Sequence, residues 1–192
     1  MNAITLPQTG PYFAAFQILC QDFRRLAEYV EPVDANLTCY SHRIYELLLR
    51  ACTEFESACK EALGVLGSSK PPDRMNITDY RQLENTLRLA PNEVGILIWQ
   101  PEPCYVTPFA GWASTSPLWY GAYNDVKHNR NTAFARASLD NLRQAMAGLF
   151  ALLVGVEVID QRTQMGITER PAKRGQGREL IYTHQFFTIV PS

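Results

Sequence analysis

The residues best suited to chemistry lie in one stretch, Trp119-Tyr120-Gly121-Ala122-Tyr123-Asn124-Asp125-Val126-Lys127-His128-Asn129-Arg130. On a helix, Asn124 and His128 are i,i+4 and share one face, while Tyr123 and Lys127 are i,i+4 on the adjacent face. An imidazole moves a proton near neutral pH, and cations beside it can hold a phosphate. His128 with Lys127 and Arg130 therefore has the parts for phosphodiester chemistry. Trp119 and Tyr123 can stack bases. The same spacing also suits structure alone. Aromatics three and four apart fill cores, and a Lys/His/Arg run at a helix C-terminus complements the helix dipole. Both readings stay open at this point.

Other candidates carry less. Arg178 is followed, after five residues, by His184. That pair falls in an expected loop and strand, and a chain with three His and 18 Lys+Arg produces such a spacing by coincidence. Glu54 and Glu56 are i,i+2 on a helix, so they cannot face each other and make no metal site. His42, just before Arg43, reads as a surface residue. No GxSxG, P-loop, GxGxxG after a strand, or HExxH is present, so serine-hydrolase, NTPase, dinucleotide and zincin readings have no support. Cysteines stand at 20, 39, 52, 59 and 104, an odd number without a CxxC pair. A reduced, cytoplasmic setting fits better than a disulfide framework, and zinc spacing is lacking. No metal and no cofactor is expected.

The elements that must position these residues are mostly helical. Phe13, Phe16, Leu19, Phe23, Leu26 and Val30 recur at threes and fours, predicting a helix over Pro11 to Val30 that Pro32 ends. The strongest pattern spans Asn36 to Leu66, with Ile44, Leu47, Leu48, Ala51, Cys52, Phe55 and Cys59 on one face. Glu46 with Arg50 and Glu56 with Lys60 form i,i+4 pairs there. Gly64, Gly67, two serines and Pro71-Pro72 stop it. A shorter helix is predicted over Thr78 to Leu89, capped by Thr78 without a capping box. Ser116-Pro117 reads as N-cap and N1 of a helix through Val126. A bend at Asn129 to Asn131 and a long helix from Thr132 to Leu153 follow.

Residues 92–112 change character. Val94, Ile96, Leu97, Ile98 and Trp99, then Cys104, Tyr105 and Val106, predict an irregular hairpin, and Pro101 and Pro103 argue against a central strand. Gln161 to Arg178 carries Arg162, Arg170, Lys173, Arg174 and Arg178 among glycines and reads as a mobile basic loop. Leu180 to Val190 reads as a C-terminal strand that can pair with the 94–106 hairpin. The expected fold is thus mostly α: a helical bundle with a small peripheral sheet formed by residues 94–106 and the C-terminal strand. All 192 residues make one domain, with residues 161–178 as the loop and 180–190 as the strand.

The stretch YNDVKHNR, followed by FARASLDNLRQAMAGLFALL and preceded by YELLLRACTEFESACKEAL, resembles bacterial helical proteins of the HEPN type, roughly from Leu37 to Leu153. The resemblance implies a helical bundle that dimerises. In ribonuclease members an arginine, four to six residues and a histidine, paired across the dimer, cleave RNA without metal. Here His128 would be the motif histidine and Asn124 the polar residue, while Tyr123 stands where the arginine belongs. Lys127 and Arg130 flank His128 and can supply positive charge at a different spacing. The resemblance implies a module of a bacterial toxin, defence or stress system that binds RNA or a protein partner. Non-catalytic binding is weighed ahead of a metal-independent endoribonuclease using His128, because the arginine is missing. Binding would use the basic loop and the aromatic cluster, and a homodimer is expected.

Composition bounds these readings. With 46% hydrophobic and 19% charged residues the chain can build a core and stay in solution, which excludes a disordered chain. The formal charge of -1 means that nucleic-acid binding needs a local basic patch. The N-terminus has neither a basic n-region nor an apolar run, so no signal peptide is expected. The apolar stretch from Ala145 to Val158 is too short to span a bilayer. The expected location is the cytoplasm, away from membranes.

Overall fold

Helix α2 (His42–Val65) is the organising element of the computed structural model, which describes residues 4–7, 9–157, 166–171, 178–183 and 186–190. Its apolar face is the one the spacing selects: Ile44, Leu47, Leu48, Ala51, Cys52, Phe55, Ala58, Cys59, Ala62 and Leu63 are buried. The helix starts at Ser41, whose hydroxyl accepts from the Ile44 N–H (3.2 Å), so residues 36–41 stay outside it. It ends in a Schellman motif. Gly67 takes φ +81, its N–H donates to the Gly64 carbonyl, and the Ser68 N–H reaches the Leu63 carbonyl (2.9 Å). The expected i,i+4 ion pairs give way to other partners. Arg50 pairs with Asp22 of α1 (Thr9–Ala27) and Glu46 pairs with Arg43. Glu56 accepts from Tyr120.

Against α2 pack α1 and α7 (Leu139–Gly155). From Ala145 to Val154 every residue of α7 is buried, as suits a helix covered on all sides. Its N-cap is Ser138, whose Oγ accepts from the Asn141 N–H (3.3 Å). The long helix expected from Thr132 therefore begins later. Residues 130–136 instead form the short helix α6 (Arg130–Ala133) and a 3-10 turn at Phe134–Arg136. The cause is tertiary. The 37–40 segment pairs with the start of α7 through Leu139 N–H to Cys39 O (2.8 Å), Asp140 N–H to Leu37 O (3.0 Å) and a Tyr40–Ser138 bridge.

The expected third helix is two single turns, α3 (Ile77–Tyr80) and α4 (Glu84–Leu87), joined by a 3-10 turn. Asn76, not Thr78, is its cap. Asn76 Oδ1 accepts from the Thr78 N–H (3.0 Å), and Asp79 answers by accepting from the Asn76 N–H (2.8 Å), which completes a capping box.

The sheet has five antiparallel strands in the order β2-β1-β5-β4-β3: β1 (Glu93–Ile96), β2 (Cys104–Val106), β3 (Gly166–Pro171), β4 (Arg178–Thr183) and β5 (Phe187–Val190). Strand β1 is interior, flanked by β2 (Val94 opposite Val106) and β5 (Val94 opposite Ile189). The prolines do not prevent this, because Pro101 and Pro103 fall in the connection between β1 and β2. Two further expectations are corrected. The single C-terminal strand is two strands that double back, with Tyr182 opposite Ile189 and Thr183 opposite Thr188. The 161–178 loop contains strand β3, with Pro171 opposite Arg178; its remaining residues before Arg178 lie outside the described residues.

Rings tie sheet to helices. Phe150 of α7 stacks on Phe16 of α1 (5.9 Å) and on Phe187 of β5 (5.4 Å). The fold is mostly α, a helical bundle with a small sheet at its side. Among the described residues, no helix is long and apolar enough to cross a membrane.

Candidate nucleic-acid interface

Helix α5 (Leu118–His128) carries the stretch singled out for chemistry. Its N-cap is Pro117, one residue later than expected, and its first turn is closed by the Tyr120 and Gly121 N–H groups on the Pro117 carbonyl. Trp119, Tyr120, Ala122, Tyr123 and Val126 face inward. Trp119 is 2% exposed and donates its indole N–H to the Pro108 carbonyl (2.8 Å). Its ring meets Phe55 edge-on at 5.1 Å, and α7 comes so close that a Cβ on Gly148 would sit 2.9 Å from it. Trp119 is therefore a core residue and offers no face to a base.

Tyr123 is 1% exposed and packs on Tyr120 (5.4 Å). It too is removed from base stacking. Its hydroxyl accepts from Lys127 Nζ (2.8 Å). Burial pushes its hydroxyl's pKa up, against the opposing pull of the ammonium. The Tyr123 hydroxyl in turn raises the Lys127 pKa, against partial desolvation, so Lys127 is a fixed cation at neutral pH. Below this pair the Tyr120 hydroxyl donates to Glu56 Oε1 (2.6 Å), and its pKa is pushed upward by burial and by that carboxylate.

The outward residues behave differently. His128 is exposed at the last turn, and Asn124 is half-buried one turn earlier. They share a face, as the spacing requires, but no hydrogen bond joins them. Arg130 begins α6, and its guanidinium lies over Tyr45 (5.3 Å) and Phe134 (5.9 Å). Its Nη2 is 3.5 Å from His42 Nδ1. Among the described residues no ion pair joins Lys127, His128, Arg130 or His42 to a carboxylate. The neighbouring arginines are engaged: Arg136 with Asp125, and Arg43 with Glu46. The corner of α5 and α6 is thus a local surplus of positive charge on a chain of formal charge -1, able to attract an anion.

No family model, curated protein or solved structure matches the chain.

His42 is the residue that the sequence undervalues. It is exposed, as expected, but its ring lies 4.9 Å from Phe134. The approach spans 88 positions to Arg130 and depends on the pairing of residues 37–40 with the start of α7. A histidine next to an arginine in sequence carries no trace of it. Arg178 opens strand β4, off the bundle helices, and His184 lies outside the described residues.

Between α1 and α2 the charged side chains pair with one another. A groove of about 840 Å³ between α1 and α2 is lined by Asp22, Arg25, Glu46 and Arg50. Asp22 takes both Arg25 (3.1 Å) and Arg50 (2.6 Å). Cys20, Cys52 and Cys59 are buried, and burial pushes their thiols far up, so they hold no thiolate for catalysis at neutral pH. Among the described residues, no three His, Cys, Asp or Glu side chains come together as metal ligands.

Proposed function

We propose that this chain is a HEPN-like module of a bacterial toxin, defence or stress system, and that it binds RNA at the corner of α5 and α6 without cutting it. The supporting observation is one of placement. Lys127, His128, Arg130 and His42 form no ion pair with a carboxylate among the described residues, although Glu56 acts on Lys127 from a distance, while the position belonging to the motif arginine holds a buried tyrosine. Phosphodiester cleavage needs a cation fixed at the phosphate as charge develops. Tyr123 cannot supply one, since its hydroxyl is neutral and turned to Lys127. Holding a phosphate needs only the exposed cations. The resemblance supports the module and a homodimer, and the cysteine usage supports a cytoplasmic location. The basic run over 161–178 is a further candidate contact, read from its sequence alone.

A second reading is a metal-independent endoribonuclease, in which His128 is the acid/base and Asn124 orients it or the ribose. It is favoured by His128 and Asn124 lying on one face without hydrogen-bond partners.

One experiment separates them. A fluorescent single-stranded RNA is titrated with protein in EDTA, at salt from about 50 to about 200 mM, the range over which phosphate contacts weaken steeply. A denaturing gel then reports its integrity. The proposal expects salt-sensitive binding that Lys127→Ala with Arg130→Ala removes, and intact RNA. Cleavage abolished by His128→Ala would instead establish the second reading. A chain that neither binds nor cuts RNA contradicts both, and a protein partner would then be the function to seek.

A further inference from the structure

Among the described residues, two of the aromatic clusters differ in exposure. One surrounds Phe55, where Tyr80, Phe109, Trp112, Trp119 and Tyr120 are all buried. The other surrounds Phe134 at the surface. Tyr40 meets the Phe134 ring edge-on at 5.7 Å, His42 lies 4.9 Å away and Tyr45 5.9 Å. The Arg130 guanidinium lies over the Tyr45 and Phe134 rings. Tyr40 is 51% exposed, His42 and Arg130 are exposed, and Phe134 is half-buried.

Solvent-facing rings beside an uncompensated guanidinium are the two components that single-stranded nucleic acid uses: a π face for a base and a cation for the adjoining phosphate. The platform is also held in place. The backbone of Tyr40 bridges Ser138, and the Ser41 cap fixes the start of α2, so Tyr40 and His42 are presented by ordered backbone on both sides. A duplex would hide its base faces from such a site, whereas an unpaired base can reach it.

We propose that Tyr40, His42, Phe134 and Arg130 form a stacking subsite for one unpaired base of single-stranded RNA, with Arg130 on its phosphate. This rests on the RNA-binding reading above and adds a strand preference and a base contact to it. The Trp119 and Tyr123 rings, adjacent in sequence to the cations, are replaced in that role by rings adjacent in space.

The test measures affinity for a single-stranded oligouridylate, for a duplex RNA of equal length and for heparin, a polyanion without bases. Tyr40→Leu keeps apolar contact with Phe134 but removes the ring, and Tyr40→Phe keeps the ring. The parent and Tyr40→Phe should prefer the single strand. Tyr40→Leu should lose about five- to 150-fold on it, the range for one stacked base. Its heparin affinity and its salt slope should stay unchanged. His42→Ala should follow the same pattern more weakly. If Tyr40→Leu and His42→Ala bind the single strand like the parent while Arg130→Ala does not, the corner binds charge alone and the stacking subsite is overturned, with RNA binding intact. Absence of RNA binding in the parent overturns both proposals.

Discussion

Replacing Tyr123 by arginine restores the residue type of the ribonuclease motif, and its outcome follows from where residue 123 points. The side chain is 1% exposed, packed on Tyr120, with its hydroxyl on Lys127 Nζ (2.8 Å). A guanidinium there loses the ring contact, worth about 0.5–1.5 kcal/mol, and faces a like charge at Lys127. An uncompensated buried charge costs about 3–5 kcal/mol. Glu56 keeps its charge while accepting from the Tyr120 hydroxyl, but that single charge already acts on Lys127 and does not offset a second cation. Tyr123→Arg should therefore destabilise the chain by about 4–6 kcal/mol, a large part of the roughly 5–15 kcal/mol that holds a domain together. In urea, with a slope of about 2–3 kcal/mol per molar, the midpoint should fall by about 2 M. Tyr123→Phe, which forfeits one hydrogen bond to a partly exposed ammonium, should cost about 1 kcal/mol or less. An arginine variant within about 1 kcal/mol of the parent would mean that residue 123 can turn to solvent. Position 123 would then be open to the motif arginine.

Two further outcomes follow from packing and charge. Gly148→Ala puts a methyl 2.9 Å from Trp119 across the α5–α7 contact; overpacking of this kind costs about 1–3 kcal/mol, read as a lower urea midpoint. Asp79 is held below the usual carboxylate range, first by its hydrogen bond from Lys70 and then by the Asn76 N–H, and Asp22 likewise by Arg50. Because both are depressed in the folded chain, their contribution is complete above about pH 4 and is lost as pH falls through the lowered folded values. Asp79→Asn should thus lower stability at pH 7 by about 1 kcal/mol or less, as exposed pairs do, and the difference from the parent should shrink in thermal melts as pH falls below about 4.

What could be read in advance depended on how local the cause was. The face of α2 was legible because Ile44, Leu48, Phe55 and Cys59 are bound to one side by helix geometry alone. The start of α7 was not. The run from Thr132 to Ala137 has helical composition, but backbone pairing with residues 37–40 moves the cap to Ser138. Strand β3 was hidden by its glycine, charges and proline, and takes its conformation from β4. The reversal between β4 and β5 was hidden too, since LIYTHQFFTIV holds no glycine or proline to announce it. At the site, the inward aromatics of α5 were anticipated as one of two readings. The approach of His42 and Tyr40 to Phe134 was not, because it spans the chain.

The salt dependence of single-stranded RNA affinity, compared between the parent and Arg130→Ala, tests the central claim most directly. If Arg130 holds a phosphate, its removal should weaken binding and reduce the slope of log K against log salt by about 0.7, the value of one phosphate on a single strand. Equal slopes for the two proteins would contradict the account.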